Sequence, residues 1–218
     1  MSHLPSRRVE TDGSEWRPRV TTKQKMKGKI VICLAGLTAC GKSTVAKRLA
    51  EKYGLRYLSG GSALKELAVE IGYGAEEKGW WETSEGMKFL EHRLRDPSFD
   101  QKIDEQLLHW VRHGNVVLDS WTMPWLSKTG FKIWLEASPK TRAQRLAKRD
   151  NITVQEAEKF VAEKDRKTKQ IYERLYGFKL GEDFSPFDLI LDTDRLNADE
   201  AYEVLSLVID RLVLRKSR

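Results

Sequence analysis

Cysteine is scarce, two in 218 residues, which excludes a disulfide-stapled secreted scaffold. No apolar run approaches the roughly 18–20 residues that a membrane span needs. The first residues, Met1 to Arg8, lack the apolar stretch of a signal peptide. The four histidines (His3, His92, His109, His113) show no metal-ligand spacing beside acids or cysteines. His109 and His113 stand i, i+4, but without the intervening Glu of a zincin helix. An Asn-Lys-x-Asp guanine signature is also missing. What is present argues against a wholly disordered chain: 40% hydrophobic residues and seven tryptophans. The length suits one domain plus tails. The expectation is a soluble, reduced protein of the cytoplasm with no membrane contact.

The net charge of +7 is unevenly placed. Residues 1–29 hold eight Lys/Arg and three acids, and residues 215–218 add +3, so the body from 30 to 214 is near −1. The fold itself is therefore not marked as a nucleic-acid binder. Residues 1–28 read as a basic, disordered arm and 215–218 as a basic tail. Weak RNA contact through the arm is the alternative to simple solubility.

From Lys29 the pattern changes. Ile30–Leu34 is a short apolar run, as in a strand buried on both faces. A glycine-rich turn follows, then a helix over Ser43–Tyr53 closed by Gly54. Further strands are expected at Leu55–Leu58, Asn115–Asp119, Phe131–Glu136 and Phe187–Asp192. Helices are expected at Ala63–Ile71, near Ser84–Leu94, and over Phe99–Val111, Lys140–Arg149 and Val154–Leu175. Asn197 caps a last helix. Ser59–Ser62 reads as a loop. This alternation predicts an α/β fold with a five-stranded parallel sheet between helical layers.

Gly36-Leu-Thr-Ala-Cys-Gly41-Lys42-Ser43 matches G-x-x-x-x-G-K-[ST]. It follows a buried strand and opens a helix, the setting in which backbone N–H groups surround a phosphate. Lys42 would reach the β/γ-phosphates, and the Ser43 hydroxyl suits Mg²⁺. The loop implies triphosphate binding. The cationic segment around 150–175 suits a helical lid closing over a transferring phosphoryl group.

Several segments in order carry a resemblance. They are Leu34–Thr44, Tyr57–Ser62, Asn115–Asp119, Lys132–Arg149, Glu163–Arg166, Tyr172–Gly177 and Phe187–Thr193. Together they resemble the P-loop nucleoside monophosphate kinases, most closely the short archaeal-type cytidylate kinases. The resemblance implies one P-loop kinase domain over 29–214, with the acceptor region at about 59–112 and the lid at about 150–175. It implies ATP and Mg²⁺ as cofactors, with Gly36, Thr38, Ala39, Cys40, Gly41, Lys42, Ser43 and Thr44 around the donor phosphates. Ser43 would ligate the metal and Asp119 would sit near it. Arg142 would touch the transferring or acceptor phosphate and Arg166 would close from the lid. Arg195 would lie near the donor base. Ser59, Ser62 and Lys65 would face the acceptor.

The departures from that pattern fall in the acceptor half. Trp121 stands where the short kinases carry an arginine, Lys65 replaces an acceptor-helix arginine, and lysines 164 and 169 replace lid arginines. Lysine does not reproduce bidentate guanidinium recognition. Trp80, Trp81, Trp121 and Trp125 all fall in segments that would border the acceptor pocket, where indoles can stack on a flat ring. The leading acceptor is CMP or dCMP. An unphosphorylated nucleoside or sugar-like molecule is the second reading. An ATP-binding, RNA-associated or regulatory protein without kinase activity is the third. Oligomeric state stays open.

Overall fold

The computed structural model describes residues 29–75 and 79–214. The expected arm at 1–28 and tail at 215–218 lie outside the described residues. Five parallel strands form one sheet: β1 Val31–Ala35, β2 Arg56–Ser59, β3 Val116–Asp119, β4 Phe131–Glu136 and β5 Leu189–Asp192. Their spatial order is β2-β3-β1-β4-β5. β1 lies in the middle, between β3 and β4, with Leu34 opposite both Asp119 and Ile133. All five of its residues are buried, which explains its unbroken apolar run.

Helices cover both faces. α1 (Lys42–Tyr53) and α8 (Ala198–Leu212) pack on one face through Val45, Leu49, Leu205 and Ile209. The other face carries α2 (Gly60–Glu70), α3 (Ser84–Arg95), α4 (Ser98–His113) and a short α5 (Met123–Leu126), meeting at Leu64, Phe89, Leu107 and Met123. The strand order alternates outward from β1, so the loops after β1 and β3 open a crevice at the carboxyl end of the sheet.

α6 (Pro139–Asp150) and the long α7 (Val154–Tyr176) form a helical hairpin that carries the segment expected to act as a lid. Ala143, Leu146, Ala157 and Val161 hold it together. A capping box at Thr153 and Glu156 starts α7, and Asn151, at φ 56°, closes α6 in the left-handed region.

Two local expectations change. Ser59–Ser62 is not a loop: Ser59 ends β2 and caps α2, which begins at Gly60, its Oγ accepting from the Ser62 N–H at 3.2 Å. Trp125, expected in a segment bordering the acceptor pocket, is placed elsewhere. Met123–Leu126 is helical, and Trp125 stacks on Phe178 at 4.1 Å with an interplanar angle of 5°. The Trp125 indole N–H donates to Asp183 at 2.9 Å. Trp125 therefore braces the sheet end and borders neither cavity described below.

Candidate active site

The phosphate loop turns between β1 and α1. A Cβ on Gly36 would collide with the Leu135 carbonyl oxygen, so the loop can pass β4 only as glycine. Gly41 (φ 99°) and Ala39 (φ 62°) both take the left-handed region. Ala39 does so with a side chain, at a cost of about 1 kcal/mol.

Neighbouring elements grip this loop. The Trp121 indole N–H donates to the Gly36 carbonyl at 2.6 Å. Thr38 is held at both peptide groups: its N–H donates to Asp165 at 3.1 Å and its carbonyl accepts from Arg142 at 3.1 Å. Arg145 donates to the Cys40 carbonyl at 3.2 Å and to the Thr193 carbonyl at 2.5 Å, tying the loop after β5 to the phosphate loop.

Two cavities meet at the loop. The first, about 480 Å³, is lined by Thr38, Ser59, Ser62, Lys65, Asp119 and Trp121, among others. The second, about 400 Å³, is lined by Cys40, Gly41, Thr44, Arg145, Thr193 and Asn197, among others. Ala39, Lys42, Ser43 and Arg149 line both. Lys42 Nζ donates to the Leu37 carbonyl at 3.0 Å and lies 5.5 Å from the Trp121 ring.

At the end of β3, Asp119 Oδ2 accepts from Ser43 Oγ at 2.5 Å and from the Tyr57 hydroxyl at 3.1 Å. The negative charge of Asp119 and its own burial push the Tyr57 hydroxyl well above the usual tyrosine range, burial contributing most. A hydroxyl and a carboxylate side by side form the hard-oxygen set that suits Mg²⁺, which keeps several waters and takes the rest from phosphate. Ser43 and Asp119 would hold the ion.

Cations of the α6–α7 hairpin also face the first cavity. Lys164 is buried there, 5.0 Å from the Trp81 ring and 3.8 Å from Glu82. Burial lowers its ammonium to about 8. Arg149 pairs with Glu82 at 2.9 Å and with Asp150 at 2.7 Å.

Three expected site residues sit elsewhere. Arg166 is exposed and donates to Gln170 at 3.4 Å on its own helix. Lys164, two residues earlier and on the opposite side of α7, is the one turned inward. Arg142 is buried against Asp165 at 2.5 Å, lines neither cavity and anchors the loop through the Thr38 carbonyl. Arg195 is exposed and outside the second cavity. Arg145, whose guanidinium joins Thr193 and Leu196 to the loop, takes that wall. Sequence reasoning missed Arg93, Asp100 and Asp104, all buried and lining the first cavity. Their signal was charge on otherwise apolar helix faces of α3 and α4.

Comparison with known proteins agrees with this geometry. Residues 31–195 match the model of the cytidylate kinase-like family. The cytidylate kinase of Pyrococcus horikoshii is 32% identical over 187 residues, covering 85% of this chain and 91% of that protein. The cytidylate kinase of Methanocaldococcus jannaschii is 32% identical over 188 residues, covering 84% and 99%. Among solved structures, the shikimate kinase of Bacteroides thetaiotaomicron aligns at a TM-score of 0.51 and 18% identity, covering 84% of this chain and 99% of that one. The Acinetobacter baumannii shikimate kinase, solved with shikimate, aligns at 0.50 and 18%, covering 85% and 96%. These two likenesses concern the fold. With five parallel strands, a phosphate loop between two cavities and a family match across most of its length, the chain belongs to the cytidylate kinase-like family of P-loop nucleotide kinases.

Proposed function

We propose that this kinase transfers the γ-phosphoryl group of ATP to the phosphate of CMP or dCMP. One observation carries the reading: Lys42, Ser43 and Arg149 stand where the two cavities join. A donor in the second cavity and an acceptor in the first would meet at these residues. An oxygen of the acceptor phosphate forms a bond to Pγ as the bond from Pγ to the β-bridging oxygen breaks. ADP departs with that electron pair, leaving a nucleoside diphosphate. Little covalent chemistry falls to the protein, so positioning and charge stabilisation dominate. Lys42, Arg149 and Lys164 supply fixed cations around the three equatorial oxygens. Ser43 and Asp119 would hold Mg²⁺, which would supply charge neutralisation at the donor phosphates. Cys40, Gly41 and Thr44 border the donor phosphates. Lys65, Ser59 and Ser62 border the acceptor.

A second reading has one observation in its favour. The Trp121 N–H is spent on the Gly36 carbonyl, so that position offers no cation to an acceptor phosphate. An unphosphorylated nucleoside or sugar-like acceptor would not need one. Against it stand Lys47, Lys65, Arg149 and Lys164, which with Lys42 and Arg93 make six cations against five acids on the wall of the same cavity, an excess that favours an anionic acceptor.

An ATP–Mg²⁺ transfer assay with CMP, dCMP, UMP, AMP, GMP and the matching nucleosides separates the readings. Selective turnover of CMP or dCMP is expected. Turnover of nucleosides alone would transfer the assignment to the second reading. Within the same assay, Arg149→Ala is expected to lower kcat by roughly 100-fold. Arg166→Ala is expected to stay within about 3-fold, since its side chain points outward. The reverse ranking would overturn the lid assignment.

A further inference from the structure

Lys42 is buried, yet among the described residues no carboxylate pairs with it. A buried charge without a counter-ion is costly unless dipoles or a π face meet it. The Lys42 Nζ has three such neighbours: the Leu37 carbonyl at 3.0 Å, the Cys40 sulfur at 3.6 Å and the Trp121 ring, whose centroid lies 5.5 Å away. Leu37 and Cys40 belong to the phosphate loop that Lys42 itself closes. Of the three, only Trp121 comes from another part of the fold, the segment after β3.

The Trp121 ring is itself held at two points. Its N–H donates to the Gly36 carbonyl at 2.6 Å. That bond prolongs the β1–β3 pairing, which ends with Leu34 opposite Asp119. The ring also meets the buried Tyr172 of α7 edge-to-face, with centroids 6.2 Å apart and planes at 77°. Tyr172 is fixed in turn, accepting from Arg93 at 3.3 Å. A ring so braced gives Lys42 a rigid face. The chemistry of that face matters as much as its place. A π face attracts an ammonium without neutralising it. A carboxylate in the same place would pair with Lys42 and offset the charge that a phosphate needs.

We propose that Trp121 is a positioning residue for phosphoryl transfer. Its N–H ties the start of the phosphate loop to the end of β3, and its π face holds the Lys42 ammonium where the two cavities join. Trp121 acts through Lys42 and not on the acceptor. An indole suits both tasks at once, because phenylalanine offers the face without the donor and leucine offers neither. This inference rests on the assignment of Lys42 to the donor phosphates above and adds the residue that aims it.

The test is a double-mutant cycle on the full chain, read by single-turnover kinetics with ATP–Mg²⁺ and varied CMP. The four proteins are the parent, Trp121→Leu, Lys42→Ala and the double variant. Trp121→Leu is expected to lower the maximal rate by roughly 10-fold while half-saturation by CMP stays within about 3-fold. In the Lys42→Ala background the same substitution is expected to change the rate by less than about 2-fold, because the group it positions is gone. A packing role alone, or contact with the acceptor, predicts the same loss in both backgrounds, and that result would overturn the proposal. A Trp121→Leu rate within about 2-fold of the parent's would overturn it as well. Trp121→Phe keeps a face and loses the donor, so it is expected to fall between, at roughly 3- to 5-fold. It carries the same comparison with Lys42→Ala if the leucine variant does not fold. Turnover of no monophosphate, or near-parent turnover by Lys42→Ala, would defeat the kinase reading and this one with it. Equal losses in the two backgrounds defeat the positioning role alone.

Discussion

Lys42→Ala is expected to lower kcat by roughly 10³-fold while the protein melts within a few degrees of the parent. The rate term follows from position. Lys42 is the cation at the start of α1, it lines both cavities, and its Nζ lies inside the phosphate loop on the Leu37 carbonyl. A preorganised charge in a water-poor site stabilises the spreading phosphoryl charge by several kcal/mol. The stability term follows from its partners. No carboxylate pairs with Lys42 among the described residues; it touches a carbonyl, the Cys40 sulfur and the Trp121 ring. Removing it orphans no buried charge, so the fold loses about 1 kcal/mol. Single-turnover kinetics with ATP–Mg²⁺ and CMP, beside a thermal melt, check both terms. A variant with turnover within 10-fold of the parent would mean that phosphates do not lie in this loop.

Much of this geometry was legible in the residues. A buried strand, a glycine-rich turn and a helix are local signals, and β1, the phosphate loop and α1 read directly from them. So do β3 and β4, whose apolar runs have no competing period. What escaped depends on phase and on distant partners. Lys164 and Arg166 are two residues apart, so on α7 they project about 200° from one another; only the packing of α7 on α3 and α6 decides which faces the cavity. Trp125 was bound to look like a ligand platform beside Asp119. Its stacking partner, Phe178, lies more than fifty positions along the chain. The same holds for Asp100 and Asp104. As sequence they are acids on an amphipathic helix, and only Arg93, Thr122 and Tyr176 make them buried, hydrogen-bonded groups of the cavity wall.

Arg142 shows the difference between a motif match and a role, and it carries the second large expectation. The resemblance implies an arginine that touches phosphate at this position. Here the guanidinium is 5% exposed and all its bonds run into the protein: to the Ala137 carbonyl at 3.2 Å, the Thr38 carbonyl at 3.1 Å and Asp165 at 2.5 Å. Asp165 in turn holds the Thr38 N–H. The pair thus clamps both peptide groups of Thr38 in the phosphate loop between α6 and α7. Arg142→Met leaves Asp165 as an uncompensated buried carboxylate, a loss of about 3–5 kcal/mol. For a chain of this length that corresponds to a fall of roughly 10 °C in Tm. With Thr38 loosened, KM for ATP is expected to rise more than kcat falls. Arg142→Met combined with Asp165→Leu removes both charges and is expected to regain much of the lost Tm. It should not regain the ATP affinity, because the Thr38 N–H and carbonyl stay unheld. A phosphate-touching arginine predicts the opposite: an unchanged Tm, an unchanged KM for ATP, and a kcat lower by orders of magnitude that the second substitution does nothing to repair.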